Sequence, residues 1–93
     1  MPNGPRFIMR FSIEQRHLTD AGGKPISRDG REVAFYVLDA ESAEDAVRLH
    51  IRDASAEMIG DVRKFPGFQA VATMRNAGGV YTLQVTPASG IRI

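Results

Sequence analysis

Alternating apolar and polar residues over 6–15 predict a first β-strand, because successive side chains of a strand point to opposite faces of its sheet. The apolar positions that form its core face are Phe7, Met9, Phe11 and Ile13. Residues 16–30 follow without apolar rhythm, and their glycines, proline and aspartates are typical of turns. They are predicted to form a long loop, or a small extra hairpin around 27–30.

Residues 31–38 predict a second strand that is apolar at nearly every position. Its core face is assigned to Val33, Phe35 and Val37. Tyr36 and Leu38 then lie on the opposite face. A strand that is apolar on both sides is typical of a central position in a sheet, or of a sheet covered on both faces.

Ser42 begins a sequence that resembles a capping box and is followed by helical periodicity. At about 100° per residue, the apolar positions fall within one stripe. The residues of this stripe are Ala43, Ala46, Val47, His50, Ile51, Ala54, Met58 and Val62. The helix is predicted to end at Gly60 or to run on to Lys64, because the Phe-Pro-Gly sequence at 65–67 stops it.

Two further strands are predicted over 68–75 and 80–86, joined by a glycine-rich turn at 76–79. Their inward positions are Phe68, Ala70, Ala72, Met74, Tyr81, Leu83 and Val85. The element order is therefore ββαββ. The predicted fold is α+β, a four-stranded antiparallel sheet with one amphipathic helix packed across one face. Residues 1–93 are treated as a single domain, with 1–5 and 87–93 as flexible ends.

Composition narrows the classes of function. The 93 residues include no cysteine, which excludes disulfides, thiol catalysis and cysteine-based zinc sites. No apolar run approaches the roughly 18 residues that a membrane span requires, and the first residues do not match an export signal. These features predict a cytoplasmic protein without a membrane partner. The net charge of +1 is far from the strongly basic character expected of dedicated nucleic-acid domains.

No pattern of residues indicates catalysis, a metal site or a cofactor site. The two histidines, His17 and His50, are not accompanied by a nucleophile motif. His50 and Asp53 have the spacing of two ligands on one helix face, but a third ligand is not evident. The glycines before Lys24 do not satisfy the spacing of a phosphate loop. The sequence therefore predicts a protein with no catalytic, metal-binding or cofactor-binding residues.

One helix covers only one face of a sheet, so the other face is the candidate functional surface. The candidate interaction residues on that face are Ile8, Arg10, Tyr36, Leu38, Val71, Arg75 and Val80. We predict a small non-catalytic interaction protein that associates through this face, as a homodimer or with another protein. Two alternatives remain open. In the first, Tyr36 forms a platform for single-stranded nucleic acid together with Arg10 and Arg75. In the second, the chain is a small enzyme whose site forms at an oligomer interface.

Overall fold

A computed structural model describes residues 8–88, which fold as a small α+β domain. Its elements are β1 (Met9–Thr19), a 3₁₀ turn (Arg28–Gly30), β2 (Val33–Ala40), α1 (Ala43–Asp53), β3 (Glu57–Phe65), β4 (Gln69–Asn76) and β5 (Gly79–Pro87). The five strands form one antiparallel sheet in the order β2-β1-β5-β4-β3. The predicted α+β class is confirmed, but the predicted four strands are one too few, and the order of elements is ββαβββ.

The helix crosses one face of the sheet because it connects strands at opposite edges. It follows β2 and precedes β3, and these are the two outermost strands. The face that α1 covers is called here the inner face, and the other is the outer face. The buried core between the two layers consists of Phe11, Ile13, Ala40, Ala43, Ala46, Val47, Ile51, Ala70, Ala72, Met74, Leu83 and Val85.

The predicted start of the helix is confirmed and its predicted end is wrong. The Ser42 hydroxyl accepts a hydrogen bond from the Asp45 backbone N–H at 3.0 Å, as an N-cap does. At the other end Ser55 adopts a φ of 52°, a left-handed conformation that stops a helix at Asp53. Residues 57–65 then form β3. Met58 and Val62 still pack against the core, because a four-residue spacing also returns a strand residue to the same face.

The predicted faces of β2 are reversed in the structure. Tyr36 pairs with the fully buried Ile13 of β1, so the even-numbered residues of β2 share the inner face with the helix. Leu38 is partly buried against the core. The residues assigned to the core, Val33, Phe35 and Val37, are exposed on the outer face. β2 is also an edge strand rather than a central one. Because both of its faces are apolar, alternation alone does not indicate which face is buried.

The predicted loop at 16–30 is partly strand. β1 runs on to Thr19, which forms an isolated bridge with Pro25. The Asp20 carboxylate closes the turn by accepting the backbone N–H groups of Gly22 and Lys24. The alternative of a hairpin around 27–30 is wrong, because a 3₁₀ turn occupies Arg28–Gly30.

The last two strands match their predictions closely, with one exception at the start of β4. Ala70, Ala72 and Met74 of β4 and Leu83 and Val85 of β5 are buried, as expected. Phe68 was expected inside, but it precedes β4 with a φ of 60° and is exposed. Of the predicted flexible ends, 1–5 and 89–93 lie outside the described residues, as does Phe7, whereas Pro87, predicted to begin the second flexible end, is the last residue of β5. Within 8–88, no helix has the length and apolar character needed to cross a lipid bilayer.

Candidate functional site

The helix is shorter than the sheet that it covers, so part of the inner face is left open. At 11 residues α1 is about 16 Å long, whereas the 11 residues of β1 extend over about 36 Å. A cleft of about 410 Å³, called here the His50 cleft, lies beside the C-terminal end of the helix. Its lining residues are Gln15, Tyr36, Val37, Leu38, His50, Asp53, Ala54, Met74 and Asn76.

His50 is the buried polar group of this cleft. It lies in the last turn of α1 with 6% of its surface exposed. Its Nε2 is 2.7 Å from the side-chain oxygen of Gln15, which lies on the inner face of β1. Because an amide oxygen only accepts hydrogen bonds, Nε2 carries the proton and Nδ1 keeps its lone pair. Nδ1 makes no hydrogen bond to any described residue, so an acceptor remains free.

Tyr36 fixes the other side of the imidazole. Its ring centroid is 4.7 Å from that of His50, and the two planes are inclined by 55°. This tilted geometry is favourable for aromatic pairs. Tyr36 remains 42% exposed, so one part of its ring contacts the histidine and another part faces the cleft. The cleft therefore combines an accessible aromatic surface with an imidazole whose orientation is set by Gln15 and Tyr36.

The cleft carries little charge. Burial lowers the pKa of His50 below its usual 6.5, and the nearby carboxylate of Asp53 opposes that effect more weakly. His50 is therefore neutral near pH 7. Asp53 is the one carboxylate among the lining residues, and these include no lysine or arginine. A neutral or cationic ligand fits this environment, whereas an anionic ligand would meet no compensating positive charge.

The lowered pKa of His50 predicts that the protein is less stable in mild acid. The unfolded chain takes up the proton near pH 6.5, but the folded chain does so only at lower pH. The free energy of unfolding is thus highest above pH 6.5 and decreases as the pH falls from there to the folded-state pKa. Urea unfolding across pH about 5 to 8 should show this slope, and His50→Gln should reduce it. An identical slope in both proteins would contradict the assignment.

A second aromatic pair extends the polar part of the inner face beyond the cleft. His17 of β1 stacks on Tyr81 of β5, with centroids 4.3 Å apart and planes within 12° of parallel. The His17 Nε2 is 2.9 Å from the carbonyl oxygen of Gly78, so it donates to the β4–β5 turn. His17 was expected in a loop and is instead part of a strand. Among the described residues, no three histidines or carboxylates are grouped closely enough to hold a metal ion.

The candidate interaction residues do not all lie on one face. By strand register, four of them, Arg10, Val71, Arg75 and Val80, lie on the outer face. Ile8 is exposed just before β1. Tyr36 and Leu38 lie on the inner face and line the His50 cleft instead.

The predicted nucleic-acid platform is not assembled by the fold. Arg10 forms an ion pair with Asp39 at 3.0 Å, and Arg75 forms one with Glu57 at 2.7 Å. Both arginines are on the opposite side of the sheet from Tyr36. The aromatic ring and the two guanidinium groups therefore do not share a surface.

Two residues of the cleft were not singled out from the sequence. Gln15 continues the inner series of Phe11 and Ile13 along β1, and a polar residue in an otherwise apolar series is a usable signal. Asn76 ends β4 and its side-chain oxygen accepts the Gly78 backbone N–H at 2.7 Å. In the sequence analysis, Asn76 was assigned only to the glycine-rich turn at 76–79.

Comparisons of this chain with protein-family models, with curated proteins and with solved structures found no match. Its function is therefore inferred from the geometry of the cleft and of the sheet.

Proposed function

We propose that the protein binds a small, neutral, planar and polar organic molecule in the His50 cleft. The observation that carries this proposal is the buried imidazole of His50, held by Gln15 at 2.7 Å and presenting a free Nδ1 beside the exposed part of Tyr36. Concave sites with an apolar lining and a few converging polar groups are typical of small-molecule binding.

The lining residues suggest how such a ligand would be held. A flat ring would pack against Tyr36, with apolar contacts to Leu38 and Met74. A hydrogen-bond donor on the ligand would pair with the free Nδ1 of His50. The Asn76 oxygen is already used by Gly78, so its amide N–H groups are available to donate to a ligand acceptor. A heteroaromatic ring with both donor and acceptor groups meets these requirements.

Binding is favoured over covalent catalysis by the composition of the cleft. The lining residues include no serine, threonine, cysteine or lysine side chain that the neutral His50 could activate as a nucleophile. Proton transfer by His50 is the second candidate function, because its neutral imidazole and lowered pKa suit a general base. This second candidate corresponds to the enzyme alternative of the sequence analysis, except that the site lies within one chain instead of at an oligomer interface. Turnover of a bound compound, followed by NMR, would distinguish proton transfer from binding.

The proposal predicts selective binding of neutral heteroaromatic amides. Nicotinamide and benzoate have rings of one size and differ in charge, so they are suitable probes. Titration followed by ¹H–¹⁵N NMR should give saturable shifts at Gln15, Tyr36 and His50 with nicotinamide and none with benzoate. His50→Gln should weaken nicotinamide binding by about tenfold, the loss expected for one hydrogen bond in a partly enclosed site.

His17→Gln is the matched control for this titration, since His17 lies on the same face but outside the lining of the cleft. It should bind nicotinamide like the unmodified protein. Far-UV circular dichroism would verify that each variant is folded. The proposal is wrong if benzoate binds as well as nicotinamide, or if no probe shifts the cleft residues.

A further inference from the structure

We infer that β2 pairs with β2 of a second copy of this chain, so that two sheets join into one continuous antiparallel sheet. β2 lies at one edge of the sheet and pairs only with β1 among the described strands. Its register with β1 is unbroken over Val33–Ala40. A regular edge strand of this kind presents a row of unpaired backbone groups that can accept a further strand.

The register shows which backbone groups are free. The His17 N–H donates to the carbonyl oxygen of Glu32 at 3.2 Å. Residues of a strand alternate in the side toward which both their N–H and C=O point. The even-numbered residues of β2 therefore bond to β1, and the backbone groups of the odd-numbered residues face away from the sheet. These outward-facing residues are Val33, Phe35, Val37 and Asp39.

The two edges of the sheet differ in how they are protected. β2 contains no proline, no glycine and no bulge, and Phe35 and Val37 are 67% and 62% exposed. The opposite edge, β3, has a register break between Ile59 and Arg63, with Gly60 at a φ of +73°. Bulges and charged residues prevent edge pairing in natural sheets. Within residues 8–88, the edge formed by β2 is thus open, and the edge formed by β3 is protected.

A second copy is the occupant that the sequence of β2 fits. In an antiparallel pair with Phe35 opposite itself, Val33 lies opposite Val37 of the other copy. The same register places Arg31 opposite Asp39, so the Asp39 carboxylate, which already pairs with Arg10 of its own chain, meets a second positive charge at each end of the interface. A register centred on Tyr36 would instead place the Asp39 carboxylate against Val33. Charge complementarity therefore selects the Phe35-centred pair, which has a two-fold axis and closes as a dimer.

The interface is small, so the dimer should be reversible. Pairing of one strand per copy is at the low end of specific interfaces, which are weak and transient. Sedimentation velocity over a range of concentration should show the weight-average mass rising from one chain toward two. A mass that stays at one chain up to millimolar concentration would overturn the proposal.

Two variants of Val37 test the role of the edge. Val37→Pro removes an outward-facing N–H without affecting the bonds to β1, a position where edge strands tolerate proline. Val37→Lys places a charge on the same edge. It therefore tests the pairing without requiring that the strand accept a proline. Both variants should remain monomeric at every concentration. Ile59→Lys is the matched control, because Ile59 is an exposed apolar residue on the outer face of β3, and it should dimerise normally.

Charge reversal tests the register. Arg31→Glu and Asp39→Lys should each weaken the homodimer, because like charges then meet at both ends. Mixing the two variants restores opposite charges at both ends, so a heterodimer should form with the affinity of the unmodified protein. Dimers that survive both Val37 variants, that are lost equally in Ile59→Lys, or that are not restored by mixing would overturn the proposal. His50→Gln should leave dimerisation unchanged, which separates this test from that of the cleft.

Discussion

Replacing Gly79 with alanine should destabilise the protein by on the order of 3–5 kcal/mol, because backbone strain and a backbone clash add together. Gly79 begins β5 with a φ of +127°, a conformation that residues with a side chain rarely adopt. An added Cβ would lie 2.0 Å from the carbonyl oxygen of Thr19 and 2.9 Å from the carbonyl group of Asp20. Both contacts are with backbone, so no side-chain rotation relieves them.

Gly23 provides the control for this substitution. It also has a positive φ, +86°, but an added Cβ there would meet no atom within 4 Å. Gly23→Ala should therefore lose only about 1 kcal/mol, from backbone strain alone. Urea unfolding of the three proteins at one pH measures the difference. Equal losses in the two variants would show that β5 does not approach the end of β1 as described.

Phe11→Ala is expected to have a comparable effect for a different reason. Phe11 is fully buried on the inner face of β1, opposite Leu38 of β2 and Pro87 of β5. Truncating it leaves a cavity beneath the helix, and such substitutions typically lose 3–5 kcal/mol, so about that loss is expected. The measurement is again the free energy of unfolding, from urea titration.

Phe35→Ala is the matched control and also tests the register of β2. Phe35 is 67% exposed on the outer face, and surface substitutions usually change stability by within about 0.5 kcal/mol. The titration should be made at low protein concentration, where pairing through β2 does not contribute. A loss as large as that of Phe11→Ala would mean that Phe35 is in the core, as its sequence pattern predicted.

The sequence predicted an element correctly where a single local pattern was unambiguous. The alternation at Phe11 and Ile13 gave β1 and its buried face, and Ser42 gave the start of α1. β2 was predicted as a strand, but its buried face was assigned wrongly, because Val37 and Leu38 are equally apolar and only the pairing with β1 shows which of them faces the core. The end of α1 was missed since Ser55, rather than a glycine, adopts the left-handed conformation.

The candidate site was less predictable than the fold, because it depends on long-range register. The sequence pattern placed His50 only in the apolar stripe of the helix, and it assigned Tyr36 to the wrong face of the sheet. Their contact requires that α1 end near Asp53 and that Gln15 and Tyr36 share the inner face. The exposed apolar edge at Phe35 follows from the same reversal of β2. Both functional proposals therefore depend on a pairing that the sequence pattern left ambiguous.

The position of β5 between β1 and β4 has a consequence for synthesis on the ribosome. The hairpins β1–β2 and β3–β4 form early in the chain, yet neither pairs with the other in the sheet. They are united only when β5, the last of the described strands to be translated, inserts between them. Isolated hairpins are marginally stable in water, so the nascent chain reaches its stable form only after Pro87 has left the exit tunnel.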